Sequence, residues 1–321
     1  LINFTGFRYK TRSTACAEGG KEVLGVILIT SYVGHDELRS AHRQAVSKEK
    51  LAELGFVRVF LLAEPPSHER FITQAQISNE QKKFNDIVQG NFLEAYRNLT
   101  YKHIMGLKFA ATYCNISKFV IKADDDIVFD IFQLKNFLES IEIKGEHEDF
   151  IAGYVQNNME AIRLKASKWY VSLEEFDEST YPDFVSGWFY ITNIAVARKL
   201  AHESEHSNFF WIDDTFVTGI LRQKLGITLN SLNKWFSANS QFLECCIRDF
   251  QEYSYGCDFF VGPNGGDNNL IIKFLHGVEK CYFDECVKRP PEKSLRRTCV
   301  AEARRFLKDH GDAFVNPIKL R

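Results

Sequence analysis

The sequence predicts an α/β fold, in which a Rossmann-like, mostly parallel sheet is flanked by helices in a single continuous domain. Three apolar, β-prone runs cover residues 23–30, 56–64 and 118–123, and segments with helical spacing alternate with them. Such alternation is typical of a parallel sheet covered on both faces. Acidic residues follow the third run directly, at the strand end where these sheets bind ligands.

The first strands and helices follow from local patterns. Residues 23–30 form a continuous apolar run, which predicts a buried strand, and residues 31–46 predict a helix with His35 and Asp36 at its N-cap. Residues 56–64 predict the second strand, which is ended by two prolines.

The later elements are predicted in the same way. Residues 92–114 carry apolar side chains at helical spacing, residues 118–123 predict the next strand, and residues 131–141 predict an amphipathic helix. Beyond residue 150 the alternation is looser, with a helical segment over residues 211–225.

Composition excludes several classes of protein. The 321 residues include 40 Lys and Arg against 42 Asp and Glu, a formal charge of −2, and no basic stripe or cluster favours nucleic acid or an anionic membrane. An aromatic content of 14% excludes disorder. The sequence begins at Leu1 and lacks an apolar run of about 18 residues. We therefore expect a lumenal fragment whose N-terminal targeting segment is missing.

Cysteines and glycosylation sequons indicate an oxidising compartment. Eight cysteines occur, and none forms the paired C-x-x-C arrangement of a zinc site. Asn-x-Ser/Thr sequons begin at Asn3, Asn98 and Asn115, which are the candidate glycosylation sites. Together they favour the secretory pathway, with a cytosolic enzyme carrying free buried thiols as the alternative.

Three consecutive carboxylates, Asp124, Asp125 and Asp126, lie between the third strand and another apolar segment. Neighbouring carboxylates repel by roughly 4 kcal/mol at 4 Å and an effective dielectric constant near 20. Mg²⁺ or Mn²⁺ prefers oxygen ligands and would neutralise this charge, and with so few protein ligands a substrate diphosphate would complete the shell. The alternative is a solvated acidic turn, which the flanking apolar segments disfavour.

A second acidic pair, Asp213 and Asp214, lies in the aromatic segment "FFWIDDTFVTGIL" near a predicted helix start. Apolar neighbours remove solvation, which raises the pKa of a carboxyl group and suits a general base. The alternative is helix capping. Both interpretations hold together if Asp213 caps the helix and Asp214 points into the site. A metal centre and a base suggest transfer from a nucleotide sugar to a hydroxyl group.

Five ordered motifs then show a family resemblance. They are "LRSAHRQAV" (38–46), "FNDIVQGNFLEAYRNLTYKHIMGLKFAATYC" (84–114), "KFVIKADDDIVF" (118–129), "YPDFVSGWFYIT" (181–192) and "DDTFVTG" (213–219). In this order and spacing the chain resembles the β-1,3-glycosyltransferases of family 31, which include galactosyl-, N-acetylglucosaminyl- and fringe-type enzymes. The resemblance covers about residues 23 to 230.

The resemblance implies a GT-A fold, a UDP-sugar donor, Mn²⁺ as cofactor, inversion at the anomeric carbon and a single-pass type II Golgi membrane protein. It implies that Asp126 binds the metal. It places Asp124 and Asp125 near the donor ribose and sugar, with Asp124 also a candidate metal ligand. Asp214 matches the base that deprotonates the acceptor hydroxyl.

Arg39 and Arg43 match the early arginines of the family. One of them is expected to approach the donor phosphates or to close the site, with ordinary surface salt bridges as the alternative. Lys102 is a candidate for a similar role, with a solvated helix face as the alternative.

The chain also departs from the family pattern. Val46 replaces a tryptophan, and Trp188 replaces a glycine, where its ring would stack on a sugar or narrow the acceptor cleft. Asp213 replaces a glutamate. His276 is a candidate late metal ligand, as in the fringe branch, although a structural or surface role is the favoured alternative.

These features divide the chain into three parts. Residues 1–21 are polar and are expected to be a stem remnant, and residues 22–240 form the catalytic domain, with its nucleotide-sugar half ending at residue 130 and the acceptor half following. Residues 241–321 are expected to form a cysteine-containing extension, including a basic helix over 294–310, that disulfides tie to the catalytic body. The pairing of the cysteines stays open.

The leading hypothesis is an inverting hexosyltransferase that moves galactose from UDP-galactose to a glycan hydroxyl in β-1,3 linkage. The partners would be a UDP-sugar and a glycoprotein or glycolipid acceptor, without nucleic acid. One alternative is a transferase that uses a UDP-N-acetylhexosamine. Others are a non-catalytic glycan-binding or chaperone relative and a metal-dependent hydrolase, for which the candidate metal ligands are too few.

Overall fold

A computed structural model describes residues 1–18, 23–69, 71–144, 149–284 and 286–300. Within these residues an eight-stranded sheet has the strand order β1-β4-β3-β2-β5-β8-β7-β9, and a two-stranded sheet pairs β10 with β6. The strands are β1 (Tyr9–Thr11), β2 (Gly25–Thr30), β3 (Phe56–Glu64), β4 (Ile87–Leu93), β5 (Phe119–Asp124), β6 (Ile127–Phe129), β7 (Phe150–Gln156), β8 (Phe184–Asn193), β9 (Thr228–Ser231) and β10 (Val261–Pro263).

Helices cover both faces of the large sheet. They are α1 (Ala15–Glu18), α2 (Asp36–Ala45), α3 (Lys48–Glu53), α4 (Gln74–Phe84), α5 (Leu99–Tyr113), α6 (Ile131–Lys144), α7 (Ile194–Glu203), α8 (Arg222–Lys224), α9 (Ser240–Glu252), α10 (Asn268–Asp284) and α11 (Leu295–Thr298). A π-helix spans Thr215–Leu221, and short 3₁₀ helices span Tyr96–Asn98, Ser204–His206, Asn233–Trp235 and Pro291–Lys293. Helices α5 and α7 pack into one hydrophobic core, and α2, α6, α9 and α10 into the other.

The predicted fold class is confirmed. Strands β4, β3, β2 and β5 run parallel, and β8 joins antiparallel to β5. Thr30 at the end of β2 pairs with both Leu61 and Asp124. The carboxyl ends of the parallel strands therefore meet at one edge, and Asp124 lies there.

One strand was missed from the sequence. The helix predicted from residue 92 begins only at Leu99, because residues 87–93 form β4 between β3 and β1. Polar Gln89 and Gly90 hide the strand pattern. Gln89 is nevertheless buried, and its side chain donates to the carbonyl of Ala63 and bonds to Gln74. Sheet pairing overrides the local propensity here.

The N-terminal segment is part of the fold, so its prediction as a stem remnant was wrong for the described residues. Strand β1 is the edge strand of the large sheet and pairs with β4, and a disulfide joins Cys16 to Cys114 at the end of α5. Residues 19–21 lie outside the described residues.

The C-terminal part is linked to the rest by β-pairing, because β10 pairs with β6. The expectation that disulfides tie it to the catalytic body was wrong. Its six cysteines pair with one another, as Cys245–Cys299, Cys246–Cys257 and Cys281–Cys286. Of the predicted basic helix, α11 covers Leu295–Thr298, and residues 301–310 lie outside the described residues. In the described part of the chain, each helix is too short or too polar to cross a membrane.

The Cys16–Cys114 disulfide closes the longest covalent loop, with a sequence separation of 98 against 5 for Cys281–Cys286. Replacing Cys16 and Cys114 together by alanine should lower the free energy of unfolding by about 4 kcal/mol, because the open chain gains loop entropy. The same change at Cys281 and Cys286 should cost about 2 kcal/mol. Urea denaturation of both double variants measures the difference, and equal losses would contradict the expectation.

Candidate active site

The acidic turn begins where β5 ends, and a buried lysine underlies it. Lys122 and Asp124 alternate along the strand and so share one face of the sheet. The Lys122 ammonium donates to Oδ1 of Asp124 and to the carbonyl of Gly187 on β8. Burial alone would lower the pKa of Lys122, but the charges of Asp124 and Asp213 outweigh it and raise the pKa. Lys122 is therefore a permanent positive charge below the carboxylates.

The side chain of Asp125 is buried against the loop that follows β2, and its place near the donor ribose and sugar stays a prediction. Its Oδ2 lies 2.9 Å from Nδ1 of His35 and accepts from the backbone N–H of Tyr32, while its carbonyl lies 2.8 Å from Nε2 of His42. Burial would raise the pKa of Asp125, but hydrogen bonds from His35 and Ser31 outweigh it and lower the pKa. Asp125 fixes the loop between β2 and α2.

Asp126 is the carboxylate of the turn that is open to solvent. Its carbonyl accepts from the backbone N–H of Asn264, which holds the turn from behind. Partial burial, together with the charges of Asp124 and Asp125, raises the pKa of Asp126 to about 6. In the part of the chain that the structure describes, its carboxylate has no cationic partner. An oxygen donor crowded by other carboxylates fits a hard divalent cation.

The second acidic pair stands at the start of the π-helix, and the capping role that the sequence suggested for Asp213 belongs to Asp214. Asp214 caps the helix, since its Oδ1 accepts from the N–H of Thr215 at 2.7 Å and its Oδ2 accepts from the N–H of Gly187 at 3.1 Å. Asp213 instead bonds to the His103 side chain. Burial and the charge of Asp213 raise the pKa of Asp214 to about 7.

Gly187 allows the acidic pair to approach β8. A Cβ atom at this position would lie 2.9 Å from Cβ of Asp214, closer than two carbon atoms tolerate. The carbonyl of Gly187 accepts from Lys122 while its N–H donates to Asp214. One peptide segment thus connects the acidic turn to the acidic pair.

Two buried residues of the site were missed from the sequence. Nδ1 of His103 lies 2.9 Å from Oδ2 of Asp213, and Nε2 lies 2.6 Å from the hydroxyl oxygen of Tyr190. Tyr190 pairs directly with Lys122 across β5 and β8. A histidine inside the apolar helix "TYKHIMGL" and a lysine two residues before Asp124 were the signals that could have found this cluster.

Aromatic residues form the rim of the site. Burial raises the pKa of Tyr96 to about 12, and the negative charges of Asp213, Asp214 and Asp124 add to this rise. Its hydroxyl accepts from Nε1 of Trp169 at 2.8 Å. The 3₁₀ turn before α5 is thereby joined to the loop before β8.

The early arginines form a buried ion-pair network rather than a free phosphate site. Arg39 is 1% exposed, and its guanidinium donates to both carboxylate oxygens of Glu80 at 2.8 Å and to the carbonyl of Tyr32. Arg43 donates to Glu80 and to both oxygens of Asp86. The predicted contact of both arginines with phosphate is therefore corrected. Their guanidinium groups support the loop after β2 instead.

The predicted phosphate contact of Lys102 is corrected too, because its charge is paired inside the protein. Its buried ammonium lies 2.5 Å from Oε1 of Glu94 and donates to the carbonyl of Ser31 at 2.8 Å. The side chain therefore joins α5 to the end of β2 instead of pointing to solvent.

The two predicted late contributors lie elsewhere than expected. His276 is exposed on α10, and among the described residues no three His, Cys, Asp or Glu side chains converge closely enough to hold a metal. His276 is therefore not grouped with Asp124 and Asp126. Trp188 is half-buried and packs against Tyr154 and Phe236, so its ring contributes to the core.

The three sequons differ in accessibility. Asn3 and Asn115 are exposed. Asn98 is half-buried, its side-chain amide donates to the carbonyl of Leu93, and Thr100 of the same sequon is buried. A glycan attached to the Asn98 amide would therefore compete with the contacts that this side chain makes in the folded protein.

The family described as Galactosyltransferase matches residues 37–233. A lactosylceramide 1,3-N-acetyl-beta-D-glucosaminyltransferase from Homo sapiens is 37% identical over 170 residues, 53% of this chain and 44% of that protein. The match thus spans less than half the length of that relative. Beta-1,3-galactosyltransferase 5 from Gorilla gorilla gorilla is 31% identical over 70% of this chain and 74% of that protein.

A solved structure is related more distantly. A 4-diphosphocytidyl-2C-methyl-D-erythritol synthase from Anaerococcus prevotii covers 68% of this chain and 88% of that chain at 14% identity and a TM-score of 0.35, too loose a likeness to bear on function.

The corrected role of Arg39 is testable. Arg39→Lys should lower the free energy of unfolding by about 3 kcal/mol, because an ammonium cannot replace the forked contacts with Glu80 and leaves a buried charge poorly paired. Denaturant titration measures the loss, and Lys48→Arg on the exposed start of α3 is the control. Unchanged stability with weaker nucleotide binding would restore the phosphate role.

Proposed function

The chain belongs to the galactosyltransferase family, glycosyltransferase family 31, and from this premise we propose that it is an inverting β-1,3-glycosyltransferase. The donor is a UDP-sugar, UDP-galactose first, and the acceptor is a hydroxyl group of a glycan. The observation that carries the proposal is the connection of two carboxylate centres, Asp124–Asp126 and Asp213–Asp214, through Lys122 and Gly187 at the carboxyl edge of the sheet.

Asp214 is the proposed general base. Its two oxygens each accept one backbone N–H, which fixes the carboxylate and leaves further lone pairs for an acceptor hydroxyl. The charge of Asp213 raises its pKa, so Asp214 holds a proton more strongly than an ordinary aspartate. One base without a protein nucleophile suits a single displacement, which inverts the anomeric carbon.

Asp126, with Asp124 beside it, would hold the divalent cation. When bound, Mn²⁺ would neutralise the charge that develops on the departing UDP. Burial raises the pKa of Asp124, and the hydrogen bond from Lys122 opposes that rise and orients the carboxylate. Asp125 holds the turn on the β2–α2 loop. These contacts support the proposal from the side of the protein.

The identity of the sugar is the finer part of the proposal. The relatives include both galactosyl- and N-acetylglucosaminyltransferases, so a UDP-N-acetylhexosamine is the second candidate donor. The third hypothesis is a non-catalytic glycan-binding relative, and the presence of Asp126 and Asp214 argues against it.

We also propose a lumenal site in the Golgi for this domain, behind a type II membrane anchor. All eight cysteines form disulfides, which persist in an oxidising compartment.

UDP release from a panel of UDP-sugars, with broad glycan acceptors and with or without Mn²⁺, tests the function. One donor should turn over, and Asp126→Ala and Asp214→Asn should each lower kcat at least about 100-fold, since charge stabilisation and proton removal are lost separately. Asp36→Asn, an exposed carboxylate on α2, is the matched control and should keep its rate. Binding of UDP with Mn²⁺ but no turnover would favour the binding-protein reading, and no binding at all would refute the site.

The pH dependence of kcat tests the base. Asp214 accepts a proton only when ionised, and its raised pKa means that the ionised fraction grows as pH rises through about 7. The rate should therefore fall about tenfold per pH unit below that value and level off above it. Stopped assays between pH 5.5 and 8.5 measure the profile. A rate that stays flat down to pH 5.5 would show that Asp214 is not the titrating base.

A further inference from the structure

A chain of buried hydrogen bonds leads from the centre of the sheet to the acidic pair. It runs from the Tyr190 hydroxyl on β8 to His103 on α5 and on to Asp213. His103 and Tyr190 are 1% and 0% exposed, so neither reaches solvent or a substrate. The hydrogen bond between His103 and Asp213 therefore connects both residues to the site.

The hydrogen bonds fix the protonation of each member. Burial outweighs the hydrogen bond with Asp213 and lowers the pKa of His103, so its ring is neutral and carries one N–H. An ionised Asp213 can only accept, which places that proton on Nδ1. Nε2 then accepts from the Tyr190 O–H, which burial keeps protonated by raising the pKa of that group. One tautomer satisfies both bonds.

We propose that Tyr190 and His103 are positioning residues that hold Asp213 as an anion beside Asp214, and that this anion sets the proton affinity of the base. The assignment of Asp214 as base rests on the proposed function. The hydrogen-bond relay from Tyr190 through His103 to Asp213 rests only on its two hydrogen bonds.

The groups around Asp213 determine the direction of the effect. Lys122 and Asp124 face it from β5, Asp214 follows it in the chain, and Tyr96 faces the acids from the 3₁₀ turn before α5. Burial would raise the pKa of Asp213, but the His103 hydrogen bond is the largest of the contributions that lower it, ahead of the charge of Lys122.

Removal of His103, although its side chain can carry a positive charge, should therefore make Asp214 a weaker base. Without the donor, Asp213 takes up a proton more readily. A protonated Asp213 no longer repels charge on Asp214, so the pKa of Asp214 falls. Simple loss of a nearby cation would have the opposite effect and raise that pKa.

The first test measures the protonation of the His103 ring by NMR and needs no enzymatic activity. In ¹⁵N-histidine-labelled protein at pH 7.5, the His103 signals, assigned by loss in His103→Asn, should show a neutral ring with a protonated Nδ1 and a bare Nε2. Tyr190→Phe should shift the Nε2 signal and leave Nδ1 protonated. A cationic ring, or a proton on Nε2, would overturn the proposal.

The second test measures the titration of Asp214 by ¹³C NMR of labelled aspartates, assigned with Asp214→Asn. In His103→Phe the midpoint should fall by about one pH unit, because the donor to Asp213 is lost. In His103→Asn it should stay near the wild-type value, because the Asn amide occupies the place of Nδ1 and still donates. His206→Asn, an exposed histidine after α7, is the control.

The outcomes separate the two proposals. A folded His103→Phe variant with an unmoved or raised midpoint, or an equal fall in the Phe and Asn variants, would overturn the relay. If His103→Phe does not fold, the ¹⁵N signals and the His103→Asn midpoint decide. The same shift should appear in the pH–kcat profile. A wild-type protein that shows the relay but turns over no UDP-sugar would refute the proposed function alone.

Discussion

The buried ammonium of Lys122 is the interaction on which the candidate site depends. Asp124, Asp213 and Asp214 all lie within its electrostatic reach, and three carboxylates this close would otherwise repel strongly. Because the ammonium also donates to the carbonyl of Gly187, it fixes β8 against β5 at the point where the acidic pair approaches. Charge balance and backbone geometry therefore have one source, and substitution of Lys122 by a neutral residue would disturb both together.

Around this centre the basic residues that suggested substrate contact are used to build the loops instead. Arg39 and Arg43 share Glu80, and Lys102 bonds to Glu94 and to the carbonyl of Ser31. Each pair is removed from water, so breaking one partner would leave a buried charge, a far larger cost than loss of a surface salt bridge. These pairs hold the loop after β2 in place, and the loop in turn holds Asp125 through His35 and the N–H of Tyr32.

Sequence patterns predicted the parallel core because its strands are continuous apolar runs, as in β3, whose predicted and observed limits coincide at Phe56 and Glu64. They also located both acidic centres. They missed β4, whose Gln89 and Gly90 break the pattern, and they assigned buried cations to the surface, since charge alone does not reveal a partner distant in the chain. They assigned the helix cap to Asp213 instead of Asp214, because the partners that decide between the two, His103 and Gly187, come from other elements.

The C-terminal part shows how a segment without a family motif can still support the site. Its disulfides bind it to itself, so its connection to the sheet rests on packing and on β10, which pairs with β6. Strand β6 follows directly on the acidic turn, and the N–H of Asn264, just after β10, donates to the carbonyl of Asp126. The covalently stiffened segment thus fixes the backbone of the proposed metal ligand from behind. A boundary at residue 240, drawn where the motifs end, would separate Asp126 from the strand that holds its turn.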